Sequence, residues 1–137
     1  MGTRAERARR LLALQEQLHR IEQWKLLALQ RRAAELDVER REMIEALNGN
    51  DALQGLFLDA MARRLTSIAR QADEVARKET EQAARVSARA VQVACAERVS
   101  EAAEKDAARD AEKRALGEVI DSALTRPTPA SRKIIGP

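Results

Sequence analysis

The sequence predicts an all-α protein, a long antiparallel two-helix coiled-coil hairpin with unequal arms. Three observations predict it. Of 137 residues, 34% are charged and 27 are alanine, against five glycines and three prolines; this is the composition of long helices. Aromatic residues number two, Trp24 and Phe57, too few for the core of an ordinary compact domain. Apolar residues recur at alternating steps of three and four, the spacing of a coiled-coil seam. A β-sandwich or a doubly wound α/β enzyme needs β-branched strands and frequent turns, and neither pattern is present.

The first helix is expected over residues 4–47. Thr3 with Glu6 makes a capping box at its start. Its seam is Leu11, Leu14, Leu18, Ile21, Lys25, Leu29, Ala33, Leu36, Arg40, Met43 and Leu47. The steps lose their alternation near residues 25–33, a local unwinding rather than a break. Residues 48–55 read as the hairpin loop. Asn48-Gly49-Asn50-Asp51 suits a helix stop because Gly and Asn accept positive φ, and Asp51 with Gln54 can cap a second helix.

The second helix is expected over residues 56–124, with Gly117 as a soft spot costing ~1 kcal/mol against alanine. Its seam is Leu58, Met61, Leu65, Ile68, Ala72, Val75, Glu79, Gln82, Val86, Ala90 and Val93, poor at Glu79 and Gln82. Past Val99 it is carried by alanines and reads as having no apolar stripe of its own. Residues 125–137 hold all three prolines and read as a disordered tail.

Folding the chain back at the loop places Met43 opposite Leu58, Leu36 opposite Leu65 and Ala33 opposite Ile68. Leu29 then meets Ala72, Leu18 meets Ala83 and Leu11 meets Ala90. Large residues facing small ones interdigitate, and two helices joined by a short loop pack antiparallel. Residue 4 faces about residue 97, so the second helix overhangs from about residue 98.

Charge and chemistry exclude several functions. Twenty-five basic residues against 22 acidic give +3, interspersed as on solvated helix faces. The dense basic cluster is Arg4, Arg7, Arg9 and Arg10. The lone Cys95 allows no intrachain disulfide and, between Ala94 and Ala96, reads as a small packing residue. His19 is the single histidine, so a Ser-His-Asp triad or a histidine metal site lacks its parts. No glycine-rich phosphate cradle is present. Carboxylates one turn apart, such as Glu39 and Glu42, sit among arginines as surface pairs. The expectation is a non-enzyme without cofactor or metal. No stretch has the length of a signal peptide's apolar region or a membrane span, and a cytoplasmic protein is expected.

Two patches hold more large apolar residues than one seam buries: Trp24 with Leu26 and Leu27, and Leu53, Leu56, Phe57 and Leu58 at the tip. An exposed aromatic among leucines is the composition of a binding anchor.

A short first helix, a polar loop, a longer charged helix and a ragged C-terminus together resemble the FliJ family of flagellar export proteins and its type III secretion relatives. The closest-looking stretches are Gly55-Leu56-Phe57-Leu58-Asp59-Ala60-Met61-Ala62-Arg63-Arg64-Leu65 and Ala108-Arg109-Asp110-Ala111-Glu112-Lys113-Arg114. The resemblance implies a stalk-like coiled coil, monomer or weak dimer, seated in a hexameric export ATPase and touching the export gate at the inner-membrane apparatus. It makes the overhang, with Arg109, Lys113 and Arg114, an insertion element. It makes the region from Leu56 to Met61 a gate contact. Two other classes are open. A homo-oligomeric structural coiled coil would pair the overhangs of two chains. A nucleic-acid binder would use the basic arm from Arg4 to Arg10, with salt-dependent affinity.

Overall fold

A computed structural model describes residues 2–49 and 55–125, the side chain of Leu56 lying outside that description. The molecule is all-α: α1 spans Arg4–Asn48 and α2 spans Gly55–Thr125, with no strand among the described residues. At 1.5 Å per residue, the 45 residues of α1 extend ~68 Å and the 71 of α2 ~107 Å.

The start of α1 is fixed as its sequence requires. The Glu6 amide donates to Thr3 Oγ1 at 3.2 Å and the Thr3 amide donates to Glu6 Oε2 at 3.3 Å, so two free amides are satisfied reciprocally. Its end differs from expectation. Gly49 stays right-handed at φ −88°, ψ −5°, and its amide donates to the Glu45 carbonyl at 2.9 Å. No described glycine has positive φ. The helix therefore stops by a last in-register hydrogen bond rather than by a left-handed reversal. The Asp51–Gln54 cap, Leu53 and residues 126–137 lie outside the described residues.

The two helices touch along nearly all of α1. Arg64 pairs with Glu39, and Arg32 Nη2 donates to Gln71 Oε1 at 3.0 Å. Gln82 Nε2 donates to the Glu22 carbonyl at 2.9 Å. Arg9 meets Glu104 at 3.7 Å and Arg4 meets Asp106 at 3.6 Å. The partners descend α1 as they ascend α2.

Their level corrects the expected pairing. Leu36 and Ile68 are the two large side chains fully buried, each 1% exposed, and they border one groove with Ala33 and Ala72. Leu36 therefore lies level with Ile68, about one turn beyond Leu65. Helical side chains lean toward their own N-terminus. When two helices lean in opposite senses, contacting tips belong to residues further along the second helix than a count of backbone positions gives.

The shift grows toward the far end, where Ala5, Ala8 and Ala103 form a small buried cluster. The paired region extends to Asp106, so the expected overhang from about residue 98 is corrected to residues 107–125. Alanine on both helices lets the backbones approach closely there, and Ser100 and Ala96 are buried with them.

Candidate contact surfaces

The interhelical layer is narrow, so most large apolar residues outside it remain at the surface. Trp24 is 66% exposed, with Leu27 beside it at 44%. Leu26 and Leu29 take the half-buried positions toward α2 instead, because a single seam covers less than half of a helix circumference. The structure leaves Trp24 and Leu27 free to serve as contacts.

At the tip, Phe57 is 51% exposed and Leu58 is 44% exposed. Met61, expected among the contacts, is 8% exposed. It belongs to the interhelical core, because it falls on the seam that continues to Leu65 and Ile68. The side chain of Leu56 is outside the described set.

The free end of α2 differs most from its sequence reading. Arg109, Lys113 and Arg114 are exposed, and Arg114 Nε donates to the Asp110 carbonyl at 3.4 Å. The segment does have an apolar stripe. Leu116, Val119, Ile120, Ala123 and Leu124 recur at helical spacing, and Leu124 is 79% exposed. The signal was in the sequence, in the last two turns, but the alanines before it mask it when the segment is averaged.

Polar groups between the helices are few. Gln82 is 4% exposed, and its amide donates to both the carbonyl and the carboxylate of Glu22. The hydrogen bond from Gln82 holds the Glu22 carboxyl below the usual range, partial burial opposes this, and Lys25, Arg85 and Arg89 add a smaller lowering. The position that weakens the seam on paper is thus a satisfied polar layer. Gln15 Oε1, by contrast, is buried without a partner.

Cys95, expected as a packing residue, is exposed; its neighbour Ala96 takes the buried position instead. Three arginines of the basic arm are engaged: Arg4 with Asp106, Arg9 with Glu104 and Arg10 with Glu6. A groove lined by Lys25, Leu29, Lys78 and Arg85 is open to solvent. Among the described residues, no cluster of His, Cys, Asp or Glu could hold a metal ion, and no helix is long and apolar enough to cross a membrane. No family model, curated protein or solved structure matches the chain.

Proposed function

We propose that the chain is a non-catalytic antiparallel coiled-coil hairpin acting as a stalk-like partner of a hexameric export ATPase in flagellar or type III protein export, cytoplasmic and peripheral to the export gate. The observation that carries the stalk role is the bare end of α2. Residues 107–125 continue as a single helix beyond the last ion pair with α1, Arg4–Asp106. The ladder of partners from Arg64–Glu39 to Arg4–Asp106 supports the antiparallel reading. A lone helix of this length is marginal in water, so it has most to gain from an enclosing partner. Its exposed cations, Arg109, Lys113 and Arg114, suit a polar channel, while the stripe from Leu116 to Leu124 suits a seat at the channel's end. The ATPase and the export gate themselves come from the resemblance to FliJ proteins. Phe57 and Leu58 supply the gate contact at the opposite end.

Removing residues 107–137 tests this. The shortened chain is expected to remain helical and to lose stimulation of the cognate export ATPase. Stimulation equal to that of the full chain would show that the free end has no part in the contact.

A further inference from the structure

We propose that the Trp24 face of α1 is a docking surface for a second copy of this chain, and that its occupant is the second copy's free α2 end. The half-buried positions of α1 that meet α2 in this region include Leu12, Gln15, His19, Glu22, Leu26 and Leu29. Leu14 and Ile21, expected in that seam, therefore lie outside it, on a second heptad stripe on the opposite side of α1. Leu14, Gln17, Ile21, Trp24 and Ala28 follow steps of three, four, three and four. Leu14 is 51% exposed, Ile21 37% and Trp24 66%. A helix with apolar residues on two opposite faces can take a third helix as well as the one it already meets.

Length, charge and area single out the occupant. Residues 14–28 of α1 and residues 110–124 of α2 each extend ~21 Å. Residues 14–28 carry two basic and two acidic side chains and residues 110–124 four acidic and two basic; the arginines flanking the first stretch, at 9, 10, 31 and 32, bring residues 9–32 to six basic against two acidic. Among the described residues, Arg20 and Arg31 on one surface and Glu112, Glu118 and Asp121 on the other make no ion pair. Two chains related by a twofold axis satisfy both surfaces at once, each giving its end and receiving the other's. The large apolar side chains of one such docking expose on the order of 800 Å² in the single chain. Two dockings offer up to roughly 1,600 Å² for burial, the scale of a standard stable interface.

The dimer is independent of the export reading. The two meet at one point: a partner that takes the α2 end releases the second copy.

Trp24 is the only tryptophan and reports on its own surface. In one chain it lies near the level of Gln82, through the Glu22 contact. Ile120 stands ~57 Å further along α2, so a substitution there reaches Trp24 only through another molecule. The full chain, taken from about 1 μM to about 100 μM, is expected to shift its emission to shorter wavelength as a dimer forms by sedimentation equilibrium. Ile120→Asp is expected to abolish both changes while keeping the helical circular dichroism, since Ile120 is half exposed and beyond the paired region. Val38→Asp, at an exposed site away from both surfaces, is expected to change neither. A monomer at every concentration overturns the proposal. So does a dimer whose Trp24 emission does not shift, or one that Ile120→Asp leaves intact.

Discussion

Glu22 and Gln82 show how one pair of residues sets a pH dependence. The hydrogen bond from Gln82 favours the charged carboxylate, so the folded pKa of Glu22 lies below its unfolded value. Its contribution to stability is present above the unfolded value, near pH ~4.3, and is lost as pH falls through the folded one. Gln82→Leu is expected to flatten this part of the acid limb, read as thermal midpoint against pH between about 3 and 6. An unchanged acid limb would show that the carboxylate is held by its cationic neighbours instead. Phe57 poses a different question, because at 51% exposure it contributes little to folding. Phe57→Ala is expected to move stability by less than ~1 kcal/mol and to weaken capture of a partner at the tip by ~2 kcal/mol, as loss of an aromatic anchor does. A lower melting point with capture unchanged would return Phe57 to the core.

The elements were legible where local chemistry decides them. The Thr3–Glu6 box and the alternating seam gave both helices to within a residue or so at each end. The level of one helix against the other was not legible, since it depends on which way side chains lean and how closely alanines let backbones approach. Leu36 and Ile68 show the consequence. They share one layer that backbone counting splits, and they are the two large side chains sealed from water. Leu36→Ala and Ile68→Ala are each expected to cost ~2–5 kcal/mol. Because they line a common space, the double variant is expected to cost less than the sum of the two. Strict additivity in urea unfolding would place them in separate layers. Gly117 gives the opposite case, with nothing within 4 Å of the position its Cβ would take. Gly117→Ala is expected to stabilise the free end of α2 by up to ~1 kcal/mol, seen as slower amide exchange there while the melting point of the paired region stays put.

The whole molecule is a rod whose stability is graded along its length. The paired region holds the buried layers, and the hydrogen bonds of residues 107–125 stay within their own helix. Such a gradient arises because the described residues form no third layer, so each turn of α2 is stabilised by the turn of α1 beside it and little else. Where the gradient falls to that of a lone helix is the point on which the contacts depart furthest from the spacing of the sequence. If pairing ended near residue 97, cutting the chain there would cost nothing. The buried Ala103, its neighbours Ala5 and Ala8, and Ser100 say otherwise. The ion pairs of Arg4 and Arg9 are exposed on both sides and add little, so the alanine packing carries the difference. Ending the chain after Asp106 is expected to leave the thermal midpoint within a degree or two. Ending it after Glu97 uncovers the N-terminal turns of α1 and is expected to cost ~1–3 kcal/mol, a drop of several degrees for a protein of this size. Equal midpoints for the two shortened chains would move the end of the paired region back to the level that residue counting alone assigns.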